Sequence, residues 1–128
     1  MAFGTLKADT LTHSTAGSLA TNFVVNGSAK AWVNFDGDAS GIAIRDSLNV
    51  SGNTDNGTGD YTITFSNAMS NGSYSLAGVG EAGGGGSVMA LAINDTGGLT
   101  TASARIYTKT GSPADSNVVT STIDGDLA

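Results

Sequence analysis

Short stretches in which apolar and polar residues alternate run through most of the chain, and the clearest of them lie between Lys30 and Phe65. At the start of that segment Ala31, Val33 and Phe35 fall on one side of an extended chain, with Lys30, Trp32 and Asn34 on the other. At its end Tyr61, Ile63 and Phe65 oppose Thr62, Thr64 and Ser66. Each run predicts a half-buried strand. A third strand is expected between them, from Ile42 to Val50, with tight turns at Asp36-Gly37 and Asn56-Gly57, dipeptides that tolerate positive φ.

The flanking sequence continues in the same manner. Residues 1–16 place Phe3, Leu6 and Leu11 among threonines, which predicts an extended arm with too few apolar groups for a core of its own and suited to packing on a neighbouring subunit. Ser18 to Val25 reads as a strand burying Leu19, Phe23 and Val25, followed by a turn at Asn26-Gly27. Beyond Phe65, a polar loop should tuck Met69 inward before a strand from Tyr74 to Val79. Gly83 to Gly86 then predict the most mobile internal loop.

From Ser87 to Asn94 both faces are apolar, Val88, Ala90 and Ala92 against Met89, Leu91 and Ile93. A strand covered by the core on one side and by a partner subunit or second sheet on the other accounts for this, a short helix being the competing reading. Further strands are expected from Leu99 to Thr108, where Ala102, Ala104 and Ile106 alternate with Ser103, Arg105 and Tyr107, and from Asn117 to Ile123. The last five residues, Asp124 to Ala128, should fray. About eight or nine strands with turn signals between them define an all-β fold: a single antiparallel β-sandwich, jelly-roll-like, over residues 17–128 behind an N-terminal arm, 1–16.

Composition narrows the function. The 128 residues suit one core. Nineteen glycines against one proline, Pro113, fit short strands and many turns. Five basic and eleven acidic residues give a formal charge of −6 without a basic patch, which argues against nucleic acid as a partner. Charged residues are few overall, as expected of a surface partly buried between subunits. There is no cysteine for disulfides or thiolate metal sites, and no apolar run approaches the roughly 20 residues that cross a bilayer. MAFGTLKADT has neither the basic nor the apolar region of a secretion signal, so export as a single chain is not expected.

Three ordered sub-motifs, KAWVNFDG, IRDSLNVS and TDNGTGDYTITF, followed by Ala68, Met69 and Tyr74 in an AM-x-x-x-x-Y element, resemble a repeat found in virion proteins of marine bacteriophages, especially the distal parts of cyanophage and pelagiphage tail fibres. The leader GTLKADTLTHST is similar to the start of such proteins, so the resemblance spans residues 4–80. It implies a non-enzymatic structural protein located in the virion: a tail-fibre or tail-tip module for host attachment, or alternatively a capsid decoration (cement) protein on the phage head. A glycan-binding module is the further alternative. The partners to expect are two further copies in a homotrimer, other virion proteins of tail or capsid, and a host cell-surface glycan. No catalytic residue, cofactor or membrane insertion comes with the resemblance.

Candidate chemistry is sparse. Asp55 to Asp60 and the Asp36-Gly37-Asp38 turn could offer oxygens to calcium, but hairpin turns need the same residues and the spacing is not that of an EF-hand. No metal site is assigned. His13 with Ser14 and Asp9 has nothing to orient it as a nucleophilic triad, and Gly78 to Gly86 lacks the Lys-Ser/Thr of a phosphate loop. The surface and interface candidates are Trp32, whose ring needs cover, Met89, Leu91 and Ile93 on the two-sided strand, and Arg105 with Tyr107 on a polar strand face.

Overall fold

The computed structural model describes residues 7–82 and 87–128. The glycine loop expected at Gly83 to Gly86 lies outside them, as do Phe3 and Leu6 of the arm. The described residues form strands β1 (Thr10–His13) and β2 (Gly17–Ala20), helix α1 (Thr21–Gly27), and strands β3 (Ala31–Asp36), β4 (Ala43–Leu48), β5 (Val50–Gly57), β6 (Asp60–Phe65), β7 (Ser75–Ala82), β8 (Ser87–Ile93), β9 (Ser103–Lys109) and β10 (Val118–Asp124). The fold is all-β and antiparallel, as the alternation predicts.

Strands β3 to β10 make one sheet in the order β4-β3-β10-β7-β8-β9-β6-β5. Every pairing within it is antiparallel. The sheet curls until it is nearly a barrel, so that the two layers of a sandwich are two halves of one continuous sheet joined through β7 and β8. Phe35 of β3 meets Tyr61 of β6 edge-to-face, centroids 5.1 Å apart at 74°, although four strands separate β3 from β6 in the sheet order. At the seam, β5 approaches β3 and β4 without pairing with them.

The interior is filled by residues that alternation singles out, Ala31, Val33 and Phe35; Tyr61, Ile63 and Phe65; Ala104 and Ile106, joined by Val119 and Ile123 of the last strand. Burying a large apolar side chain contributes roughly 1.5–3 kcal/mol, which is why each strand keeps one register and one inward face. Met69 is tucked into this core, as expected, from the loop after β6. On β7 the inward positions after Leu76 are Gly78 and Gly80. A Cβ on Gly78 would lie 2.3 Å from the Thr120 carbonyl oxygen and 2.7 Å from Leu91 Cδ2, so bare backbone here makes room for the β8 side chains.

Several local expectations are corrected. The strand expected from Ser18 to Val25 ends at Ala20 and gives way to α1, so Leu19, Phe23 and Val25 are exposed rather than buried. The expected Ile42 to Val50 strand is broken at Asn49, which takes φ of 55°, a left-handed conformation that asparagine tolerates. Its side chain holds the corner: Oδ1 accepts from the Asn67 backbone N–H at 2.7 Å, and Nδ2 donates to the Asn67 carbonyl at 3.1 Å.

The chain then runs straight into β5, and the hairpin turn falls at Thr58-Gly59 instead of Asn56-Gly57. The last five residues do not fray. Asp126 and Ala68 carbonyls accept from Ser70 and Ala128, and Leu127 bridges to Met69.

Candidate functional site

The N-terminal unit is a hairpin and a short helix. In the hairpin, His13 Nδ1 accepts from the Ala16 backbone N–H at 3.1 Å and faces the Thr15 hydroxyl at 3.3 Å, so the ring ties the turn together. Thr21 joins the helix to the arm through its backbone N–H on the Asp9 carbonyl and its hydroxyl on that of Ala8. The unit has no buried residue: Phe23 is 64% and Val25 61% exposed, and Leu11 and Leu19 are exposed too. The expected arm boundary at residue 16 falls inside the turn of this hairpin, and the residues outside the core continue through α1.

On the outer face of the curled sheet, Arg105 of β9 grips Asp60 at the start of β6. Its Nε donates to Oδ1 at 2.9 Å and its Nη2 to Oδ2 at 2.7 Å, a two-point pair of the kind that fixes geometry as well as charge. Asn94 Nδ2 adds a longer contact of 3.4 Å to Oδ2. The Arg105 hydrogen bond holds the Asp60 carboxyl below its ordinary pKa, against the opposing effect of partial burial. Asp60 is therefore an ionised, committed acceptor, and Arg105, one of the surface candidates, is tied down by it. Tyr107 stands half-buried beside them, opposite Asp60 on β6 and Ala92 on β8.

The acidic turns behave as turns. Asp55 Oδ1 accepts from the Gly57 N–H at 2.8 Å and Asp36 Oδ1 from that of Asp38 at 3.1 Å, while Asp60 turns to Arg105. Among the described residues no three acidic, histidine or cysteine side chains converge as a metal site would require. Below the barrel rim, Tyr61 donates its hydroxyl to the Gly37 carbonyl at 3.0 Å, and burial with the nearby Asp115 charge pushes its pKa up to about 12. This cluster ties the β3, β6 and β10 ends together.

The two-sided strand β8 resolves into a core face and a free face. Met89, expected at a surface or interface, is fully buried within its own subunit because it pairs with Gly80 and fills the space that glycine leaves. Leu91 is half-buried against the same core, and Ile93, opposite Ile106, emerges 46% exposed at the end of the strand. The uncovered residues are on the other side. Val88 is 71% and Val79 43% exposed. With Val118 they line a shallow groove of about 280 Å³ across β10, β7 and β8, in which Glu81 is the one charged side chain.

Register builds this surface. Val118, Glu81 and Val88 form one cross-strand row, and Thr120, Val79 and Ala90 the next. Alternation in SVMALAIN supplies the signal for Val88, whereas Val79 and Val118 join it only through strand order. Trp32 lies half-buried on the outer face of β3 between Leu48 of β4 and Thr122 of β10, on the strand next to the groove's β10 edge.

The described geometry thus defines a small all-β body with an apolar outer groove and an uncovered apolar arm. No protein-family model, curated protein or solved structure matches the chain. No helix among the described residues is long and apolar enough to cross a membrane.

Proposed function

We propose that this chain is a non-enzymatic structural protein of a bacteriophage virion, serving as a tail-fibre or tail-tip module for host attachment. The observation that carries the reading is the run of three phage-like sub-motifs, consecutive in the chain, whose strands lie at both edges of the sheet. KAWVNFDG supplies β3, IRDSLNVS most of β4, the Asn49 corner and the start of β5, and TDNGTGDYTITF most of the rest of the β5–β6 hairpin. These elements are the two edges of the sheet and the seam between them, so the motif corresponds to what closes the body rather than to a catalytic pocket. Sequence of that kind suits a module that is reused wherever a compact, exposed β body is needed.

A second reading, a capsid decoration protein on the phage head, is favoured by the arm. A short hairpin and helix whose large apolar side chains lie uncovered are suited to lying across neighbouring subunits. Both readings place the protein in the virion as an oligomer, a homotrimer being the assembly we expect. The test is the copy number of the chain per particle, by quantitative mass spectrometry against the major capsid protein. A count of a few to a few tens supports the tail, hundreds support the head, and absence from purified particles refutes both.

A further inference from the structure

Among the described residues two apolar surfaces lack cover: the arm, with Leu11, Leu19, Phe23 and Val25 exposed, and the valine groove of β10, β7 and β8. We propose that they cover each other between copies, the arm of one subunit docking α1 and its hairpin on the β10–β7–β8 outer face of the next. The inference is independent of the virion reading, since it concerns only how the chain meets itself.

Helix α1 cannot be stable alone. It has seven residues, no side-chain N-cap, no acidic residue in its first turn and no basic one in its last, and it buries nothing. Isolated helices shorter than about 12–15 residues are marginal even in favourable sequences. Its apolar residues therefore call for a surface supplied from outside the arm.

Charge selects that surface. Residues 1–29 carry one basic and one acidic residue, Lys7 and Asp9, whereas residues 30–128 carry the other four basic and ten acidic residues and hence the whole formal charge of −6. Two bodies meeting face to face would bring like charges together; a neutral arm reaching an acidic body does not. The groove itself holds a single charged side chain, Glu81, and one serine, Ser87, beside Val79, Val88 and Val118, a mainly apolar lining that suits phenylalanine and valine side chains.

Because each subunit offers one arm and one groove, the contact is heterologous, and it must close into a ring to give a finite assembly.

The test uses full-length chains carrying Phe23→Asp or Val88→Asp. Both positions are largely exposed within one subunit, so each variant should unfold at the wild-type denaturant midpoint under conditions where the wild type is dissociated. Light scattering coupled to size exclusion should show wild type as a closed oligomer at micromolar concentration. Each single variant should dissociate roughly thirtyfold or more readily, the loss expected for an interface anchor.

Mixing the two is decisive. The Phe23→Asp chain keeps an intact groove and the Val88→Asp chain an intact arm, so together they should form a one-to-one heterodimer that grows no further. A monomeric wild type, wild-type association by either variant, or no heterodimer on mixing would each overturn the proposal. Where the protein sits on a particle affects none of these outcomes.

Discussion

Replacing Tyr61 with phenylalanine tests whether the end of the barrel is held by a hydrogen bond or by packing alone. The ring of Tyr61 is fully buried and packs on Phe35, and phenylalanine would keep that contact. What is lost is the hydroxyl, the sole donor among the described residues to the buried Gly37 carbonyl. A typical intramolecular hydrogen bond contributes about 0.5–1.5 kcal/mol net, and leaving a buried acceptor unpaired costs about 1–3 kcal/mol. The sum of causes here is about 1–2 kcal/mol, since the 3.0 Å bond is ordinary in length and the secondary 3.3 Å contact to Asp115 is weak.

Tyr74 provides the internal comparison. Its hydroxyl also donates to a backbone carbonyl, that of Ser103 at 2.8 Å, but Thr100 already donates to the same oxygen through its backbone N–H and hydroxyl. Tyr74→Phe should therefore cost less than Tyr61→Phe. Urea unfolding followed by the fluorescence of Trp32, the only tryptophan, gives both numbers. For Tyr61→Phe the midpoint should fall by roughly 0.5–1 M with an unchanged slope. A loss within about 0.3 kcal/mol of wild type, or one no larger than that of Tyr74→Phe, would refute the assignment of the hydroxyl as the tie.

The remaining predictions follow from the same contacts. Burial raises both tyrosines from 10.0 to about 12, so the stability they contribute is complete below pH 10 and is lost as pH rises through about 12. An alkaline denaturation profile should flatten in the Tyr61→Phe, Tyr74→Phe double variant. Asp60 has the opposite sense: its lowered pKa contributes stability above the ordinary value of 3.8 that is lost as pH falls through the folded value. Asp60→Asn should thus weaken the acid limb of the stability profile, and Arg105→Met should steepen the loss at neutral pH by leaving a nearly buried carboxylate without its partner. Gly59→Ala should cost more than about 2 kcal/mol in thermal or urea unfolding, because Gly59 has φ of 64° and a Cβ would lie 2.6 Å from the Thr108 carbonyl oxygen and the Ala114 nitrogen. A midpoint near wild type would show that the β6 turn and the Ala114 loop are not in contact.

The sequence alone determined the strands with one buried face. In Ala31 to Phe35, Tyr61 to Phe65 and Ala104 to Ile106 the inward residues are apolar and the outward ones mostly polar, and that contrast is written locally with a period of two, whereas on β10 the inward set Val119, Ser121 and Ile123 includes a buried serine. Strand β5 escaped for the same reason: ValSerGlyAsnThrAspAsnGly lies mostly exposed at the seam, so burial imposes no alternation on it. Helix α1 escaped because no face of it is buried and seven residues carry too little periodicity to read.

Only the tertiary structure decided the rest, because it depends on which strands become neighbours. Whether Met89 or Val88 faces the core was set by pairing with the inward glycines of β7, not by either residue's own character. The Asp60–Arg105 pair joins residues 45 positions apart, and the valine groove draws Val79, Val88 and Val118 from three strands. The C-terminal tail looked free in sequence yet is tied to the Met69 loop by backbone hydrogen bonds, a form of attachment that side-chain polarity does not reveal. Alternation tells a strand that one of its faces is covered; the partner that covers it, and the face left bare, emerge only when the sheet curls and its register is set.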